Sequence, residues 1–209
     1  WKDFLGVKIL FGERSLIPRE ETAYWAERAI ASMTAEGRAI KGGLILDIFA
    51  GSGCLGLSVL KHIPKVKVHF AEKEAKFLKQ IKKNAENNKI NKRRYKLIRS
   101  DIFSRIKDKY DVILANPPYI PSSKMKKLPK SVTDYEPLKA LDGGKDGLFF
   151  IRRFLKGAKK HLKKEGAIYM EFDDGQEKKI EKILKENKYK FWLFEKDQFG
   201  KCRYVVIKN

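Results

Sequence analysis

The stretch LDIFAGSGCLG, residues 46–56, decides how this chain is expected to fold. Its apolar, β-branched beginning predicts a buried strand, and its glycines lead directly into the apolar periodicity of a helix. Glycines at such a junction let a ligand approach the backbone more closely than side chains would allow. The stretch therefore predicts a strand, a ligand-binding loop and a helix in direct succession.

From residue 43 onward, short apolar runs alternate with longer helical patterns, which predicts an α/β fold with helices on both faces of a doubly wound, mostly parallel sheet. The predicted strands are 44–49, 66–72, 96–99, 111–115, 167–172, 191–195 and 203–207. The predicted helices are 19–33, 55–62, 75–88, 148–162 and 176–187, and a short strand and turn is predicted at 7–12. Because the link between the last two strands is too short for a crossover helix, we expect them to form an antiparallel hairpin at or near the sheet edge.

Composition narrows the class of protein. The 209 residues are 43% hydrophobic and 35% charged, which is typical of a globular domain with a real core. No apolar run approaches the roughly 20 residues needed to cross a bilayer, and the beginning lacks a secretory layout, so a cytoplasmic location is expected. Two cysteines are too few for a disulfide framework or a Cys-only zinc site.

The charge leaves two interpretations open. The chain has 47 Lys+Arg against 26 Asp+Glu, a net charge of +21. Such an excess favours encounters with nucleic acid, or with a partner that sits on RNA. Lysines on solvated helix faces would explain the composition about as well.

An acidic residue, Glu72, ends the second predicted strand of the sheet, 25 residues after Asp47. A carboxylate at this place can accept both ribose hydroxyls of an adenosine ligand. Residues 51–56 also satisfy the G-x-G-x-x-G pattern, so a dinucleotide such as NAD has to be considered beside other adenosine ligands.

The turn Asn116-Pro117-Pro118-Tyr119 directly follows the strand predicted at 111–115. The prolines remove two backbone donors and fix two φ angles, which leaves a rigid turn with outward carbonyl acceptors. The Asn116 amide adds an acceptor, and Tyr119 offers a face for a planar group. The turn has no role in hydride transfer, which argues against NAD. It suits a planar NH₂ group whose out-of-plane direction stays open to an electrophile.

The connection at 119–147 is unusually long and contains little periodicity. Stretches of this kind are usually functional lids or disordered. Tyr135, Leu138 and Leu141 favour a partly packed loop, which we expect to be a substrate-facing lid over the Asn-Pro-Pro-Tyr turn.

Several of these motifs together resemble a known family. Residues 47–53, Glu72, 100–103 and 116–119 resemble class I methyltransferases that use S-adenosylmethionine and act on planar amine or amide nitrogens. The stretches LIPREET (16–22), YEP (135–137), AL (140–141), GG (143–144) and DG (146–147) more specifically resemble the protein-(glutamine-N5) methyltransferases, the HemK/PrmC family.

The resemblance implies a Rossmann-like, mostly parallel seven-stranded sheet with a C-terminal antiparallel hairpin. It implies S-adenosylmethionine as cofactor, S-adenosylhomocysteine as product and no metal. The residues implied to bind the cofactor are Phe49, Ala50, Gly51, Ser52, Gly53, Glu72, Asp101, Ile102 and Asn116. The residues implied to hold the acceptor amide are Asn116, Pro117, Pro118 and Tyr119, of which Asn116, Pro117 and Tyr119 are the implied catalytic residues. Within this set, the glycine loop would wrap the methionine part of the cofactor, Glu72 would bind the ribose, and Asp101 and Ile102 would flank the adenine.

The implied acceptor is the glutamine of the Gly-Gly-Gln motif in peptide chain release factors or, in a sister branch, a glutamine of a large-subunit ribosomal protein. We expect a monomer. Residues 1–34 would be what remains of a linker or N-terminal region, a short hairpin and helix, and residues 35–209 would be the methyltransferase domain. The family's N-terminal helical domain does not precede them in this sequence.

Two residues depart from the family pattern, and two other functions stay open. Phe49 stands where the cofactor loop usually begins with glycine, and Asp173 stands where a glycine usually precedes the late Gly-Gln.

Phe49 and the charge favour an N6-adenine or guanine methyltransferase acting on RNA or DNA, in which Tyr119 would stack on a flipped base. The third possibility is a non-catalytic RNA-binding protein, against which the intact Asn116–Tyr119 turn argues.

Overall fold

The computed structural model describes residues 1–12, 16–35, 42–133 and 136–208. Within these ranges the chain forms nine strands: β1 (Lys2–Phe4), β2 (Val7–Ile9), β3 (Leu44–Ile48), β4 (Lys67–Glu72), β5 (Tyr95–Arg99), β6 (Tyr110–Ala115), β7 (Leu162–Glu171), β8 (Phe191–Lys196) and β9 (Cys202–Lys208). The described helices are α1 (Glu20–Thr34), α2 (Cys54–His62), α3 (Ala75–Asn87), α4 (Ser122–Met125), α5 (Lys130–Thr133), α6 (Phe149–Ala158) and α7 (Glu177–Glu186). No helix of the described part combines the length and apolarity needed to cross a bilayer.

Seven strands build one sheet in the order β5-β4-β3-β6-β7-β9-β8. The neighbours from β5 to β7 are parallel, whereas β9 runs antiparallel to both β7 and β8. Strands β3 and β6 are nearly continuous apolar runs because helices cover the sheet on both faces. The predicted doubly wound class and the C-terminal antiparallel hairpin at the edge are confirmed.

The boundary between α6 and β7 differs from the sequence prediction. A helix was expected to continue to residue 162 and the next strand to begin at 167, but α6 ends at Ala158 and β7 already begins at Leu162. The polar run between Leu162 and Gly166 gives no strand signal. Leu162 nevertheless pairs with Tyr110 of β6, with a register shift beyond it, so tertiary pairing extends the strand.

Within the part of the chain that the structure describes, buried side chains form two clusters. One joins the β1–β2 hairpin, α1, α2 and α3 with the sheet, and includes Phe4, Val7 and the fully enclosed Trp25. The other lies under α6 and α7 and includes Phe154 and Ile180. The division of the chain at residue 34 stays a prediction, while the hairpin and α1 pack into the same core as the sheet.

The order of the strands brings three chain segments together at one edge. Ile48 of β3 pairs with Ala71 of β4 on one side and with Ala115 of β6 on the other. The residues that follow these three strand positions therefore emerge side by side. They are Phe49, Glu72 and Asn116, and this edge is where an open α/β sheet binds its ligands.

Candidate active site

The loop between β3 and α2 has a left-handed backbone at three positions, with φ of 59° at Phe49, 51° at Gly51 and 80° at Gly53. For a side-chain-bearing residue this conformation costs roughly 1–2 kcal/mol, and glycine avoids that cost. Phe49 offsets it by packing its ring edge-on against Phe150 and Phe154, at centroid distances of 6.1 and 6.2 Å. A Cβ at Gly51 would meet only one atom, at 3.9 Å, so the backbone there is open to a ligand.

Glu72 ties this loop to the end of β4. Its carboxylate accepts hydrogen bonds from the Gly51 amide and the Glu74 amide, both at 3.0 Å. Burial raises the pKa of Glu72, and the hydrogen bonds from the two backbone amides oppose that rise. The carboxylate also lines a large cavity, so it is held in place and available to hydroxyl donors there.

Asp47 lies beneath the loop, almost completely enclosed. One oxygen accepts a hydrogen bond from the Gly56 amide at 2.9 Å, and the other has no partner among the described residues. Burial raises the pKa of Asp47 to about 8. The hydrogen bond to Gly56 ties the end of β3 to the beginning of α2.

Two adjoining cavities lined by described residues lie at the carboxyl edge of the sheet. The larger, of about 510 Å³, is lined by Phe49, Gly51, Glu72, Asp101, Ile102 and Asn116 among others. The smaller, of about 130 Å³, is lined by Arg19, Ala50, Ser52, Pro117, Tyr119 and Glu171 among others. Phe49, Gly51, Asn116 and Pro118 line both. The structure thus brings together nearly all the predicted site residues; Gly53 lines neither cavity and instead approaches Ile81 and Leu57.

The far wall of the larger cavity is formed by the segment after β5. Asp101 pairs with Lys73 at 3.5 Å and with Arg153 at 3.3 Å. Ile102 has a φ of 52°, and its carbonyl accepts a hydrogen bond from the Ser100 hydroxyl at 2.7 Å. These contacts hold both residues against the cavity without help from a ligand.

The Asn116–Tyr119 turn separates the two cavities. Within the described part of the chain, the Asn116 side-chain amide hydrogen-bonds no other residue, so its oxygen and nitrogen are available at the junction. Tyr119 is held at two points, because its hydroxyl donates to Glu171 at 2.9 Å and its carbonyl accepts from the Gln176 amide at 3.0 Å. Burial, followed by the charge of Glu171, raises the pKa of Tyr119 well above its usual value.

The segment after the turn folds back over the smaller cavity. Ile120 exchanges backbone hydrogen bonds with Leu141 and Gly143. A Cβ at Gly147 would lie 2.3 Å from the Tyr119 carbonyl oxygen, so only glycine permits this close return. Leu141 is buried as expected, Leu138 is half exposed, and Tyr135 lies outside the described residues.

An ion pair joins the segment after the turn to the beginning of α1. Arg19 donates to Glu136, whose side chain is fully enclosed, and Arg19 itself lines the smaller cavity. Asp173, one of the two departures from the family pattern, pairs with Lys124 at 3.5 Å, and this pair joins the same segment to the edge of the sheet. Sequence reasoning quoted both partners of the first pair within motifs but did not pair them.

Glu171 is the site residue that sequence reasoning missed. It ends β7, lines the smaller cavity and bonds Thr22, Trp25 and Tyr119. The available signal was a carboxylate near the end of the strand predicted at 167–172, which is otherwise apolar and whose carboxyl end lies beside that of β6.

The residues around the larger cavity fit an adenosyl cofactor. The space beside Gly51 and the Glu72 carboxylate offer a cradle and an acceptor for ribose hydroxyls. A methyltransferase from Pyrococcus furiosus has the same fold, with a TM-score of 0.69 at 20% identity over 97% of this chain and 88% of its own. The fold and the site therefore define a class I methyltransferase.

The family follows from the sequence comparisons. The family model "Methyltransferase small domain" matches residues 30–131. A release factor glutamine methyltransferase from Thermodesulfovibrio yellowstonii is 32% identical over 99% of this chain and 73% of its own length. Another from Lactococcus lactis subsp. lactis is 34% identical over 100% of this chain and 74% of its own. The chain belongs to the release factor glutamine methyltransferase family.

Proposed function

We propose that this chain transfers a methyl group from S-adenosylmethionine to the side-chain amide nitrogen of a glutamine in a peptide chain release factor. The observation that carries the proposal is the position of Asn116, whose unpaired side-chain amide lies where the two cavities meet. A group held there reaches the larger cavity from the smaller one. Membership in the family supports the choice of acceptor.

The larger cavity would hold the cofactor. Glu72 would accept the ribose hydroxyls, the loop of residues 49–52 would lie along the methionine part, and Asp101 and Ile102 would flank the adenine. When bound, the cofactor supplies an electrophilic methyl group on a sulfonium centre. Phe49 covers the junction from the side of α6 and limits the access of water.

The smaller cavity would hold the acceptor amide. An amide nitrogen is a weak nucleophile because its lone pair is conjugated, so alignment has to supply most of the rate. The Asn116 side-chain oxygen and the Pro117 carbonyl would accept the two N–H groups in their own plane. The out-of-plane direction then faces the larger cavity.

No strong base is required for this chemistry, because the proton can leave once the nitrogen has become cationic. Within the described residues, neither cavity is lined by any of the three histidines His62, His69 and His161. The smaller cavity, walled by Arg19, Tyr119 and Leu141, suits an unbranched side chain better than a flipped base, which needs room to stack.

The cellular setting is part of the same proposal. Since release factors act on ribosomes, we place the chain in the cytoplasm, as a monomer that meets its substrate near RNA. The net charge of +21 would assist that encounter. Residues 35–209 would form the methyltransferase domain proper, with residues 1–34 as the linker region.

The test is the Asn116→Ala variant, assayed with labelled S-adenosylmethionine and purified release factor. Losing a contact that positions the amide is expected to lower turnover about a hundredfold, with affinity for S-adenosylhomocysteine by calorimetry largely kept. Asn187→Ala, at the end of α7, is the matched control and should behave like the wild type. Normal turnover by Asn116→Ala would refute the role. Wild-type methylation of rRNA instead of release factor would favour the nucleic-acid substrate.

A further inference from the structure

A buried carboxylate connects α1 to the catalytic turn. Glu171 is only 1% exposed and accepts three side-chain hydrogen bonds. Its Oε2 accepts from the Thr22 hydroxyl at 2.8 Å and from the Trp25 indole at 2.7 Å. Its Oε1 accepts from the Tyr119 hydroxyl at 2.9 Å. A buried carboxylate is costly unless it is hydrogen-bonded in this way.

The chemistry of the partners assigns the protons. An indole N–H donates only, and each hydroxyl donates one proton towards Glu171. Burial raises the pKa of Glu171, and the hydrogen bonds from Trp25, Thr22 and Tyr119 oppose that rise.

These contacts determine the position of the Tyr119 ring. Glu171 holds its hydroxyl and Gln176 holds its backbone carbonyl, so both ends of the residue are fixed. The ring forms part of the wall of the smaller cavity, directly after Asn116 and the two prolines. Without the bond at its hydroxyl, only packing restrains the side-chain torsions of the ring.

We propose that Glu171 is a positioning residue for methyl transfer, which fixes the Tyr119 ring as a wall of the acceptor slot and anchors it to α1 through Thr22 and Trp25. This inference rests on the proposed function and deepens it. Glu171 acts through Tyr119 and is not itself placed against the reacting atoms. A displacement of about 1 Å in such a wall costs up to a hundredfold in rate.

Two substitutions remove the hydrogen bond from Tyr119 to the Glu171 carboxylate from opposite sides. Tyr119→Phe removes only the hydroxyl. Glu171→Gln keeps the volume, and its amide oxygen best remains where the Thr22 and Trp25 donors converge, which turns the NH₂ group towards Tyr119. The NH₂ group can donate to the Tyr119 oxygen, but the charged acceptor is lost and the Tyr119 proton has no acceptor at this place, so a reversed and weaker hydrogen bond replaces the original one.

The matched control is Tyr204→Phe. Tyr204 pairs with Glu171 across β7 and β9, is 2% exposed, and accepts a hydrogen bond from Arg28 of α1. It lines neither cavity within the described residues. Its substitution removes a buried tyrosine hydroxyl next to the same strand position without touching the catalytic turn.

Steady-state kinetics on release factor, calorimetry with S-adenosylhomocysteine and thermal unfolding are measured for all variants. We expect kcat to fall at least about tenfold in Glu171→Gln and in Tyr119→Phe, with cofactor affinity unchanged. The double variant should be no slower than the slower single variant, because both remove one interaction. Tyr204→Phe should keep its kcat.

Normal kcat in Tyr119→Phe overturns the inference even if Glu171→Gln fails to fold. Additive losses in the double variant, or an equal loss in Tyr204→Phe, would also overturn it, since either indicates general packing. Failure of the proposed function is distinguishable, because the wild type itself would then not methylate release factor.

Discussion

Replacing Arg19 with methionine removes the cation that faces Glu136 and keeps most of the apolar volume of the side chain. The Glu136 side chain is fully enclosed, whereas 39% of the Arg19 side chain is exposed. Removing Arg19 therefore leaves a buried carboxylate without its cation. Removing the charge of Glu136 leaves a guanidinium that water can still reach. The two substitutions should have unequal effects on stability.

The magnitude follows from this asymmetry. Breaking a fully buried pair by removing one partner costs about 3–5 kcal/mol, and the partial solvation of Arg19 lowers the expected cost to about 2 kcal/mol for Arg19→Met. For Glu136→Gln we expect about 1 kcal/mol, because the amide keeps a hydrogen bond to Arg19. For a domain of this size, the loss of about 2 kcal/mol in Arg19→Met corresponds to a decrease in Tm of about 4–8 °C.

The loss of stability in Arg19→Met should depend on pH. Burial raises the pKa of Glu136 even beside Arg19, and losing the cation raises it further. A group whose pKa is higher in the folded state favours folding below its unfolded pKa, near 4.3, and this contribution is lost as pH rises through the folded pKa. The difference between Arg19→Met and the wild type should therefore be large at pH 7–8 and shrink as the pH falls towards the unfolded pKa.

Thermal unfolding across this pH range is the assay. The control is Arg152→Met, which breaks the pair with Asp146 at the surface and should cost less than about 1 kcal/mol, since half of the Arg152 side chain is exposed. Equal losses in Arg19→Met and Glu136→Gln would refute the reasoning. So would a loss in Arg19→Met that does not change between pH 5 and pH 8.

Two further predictions concern the cofactor and the charge. Glu72→Ala should weaken the binding of S-adenosylhomocysteine at least about tenfold, or roughly 1.4 kcal/mol, because charged hydrogen bonds to the ribose are lost. Calorimetry measures this affinity, and an unchanged value would exclude the role of Glu72 in ribose binding. Raising salt from about 50 to 200 mM should weaken association with a ribosome-bound release factor steeply and leave methylation of a short Gly-Gly-Gln peptide nearly unchanged. If neither responds, the lysines are a solvated surface.

The sequence by itself determined the class of fold and the edge of the sheet that carries the site. Alternating strand and helix patterns require parallel strands with crossovers, and the carboxyl ends of such strands share one edge. The loop of residues 49–53, Glu72 and Asn116 each directly follow or end a strand. Their proximity was therefore predictable without knowing any side-chain contact.

The tertiary structure alone decided how the site is held together. The bonds of Glu171 to Thr22 and Trp25, and of Arg19 to Glu136, join residues more than a hundred positions apart. The early start of β7 at Leu162 likewise depends on a neighbouring strand. The spacing of apolar residues in the sequence indicates which face of a helix or strand is buried, because burial acts on each residue separately. It does not indicate which polar groups form hydrogen bonds with each other. A hydrogen bond depends on two side chains whose separation is set only when the whole sheet and its helices have packed.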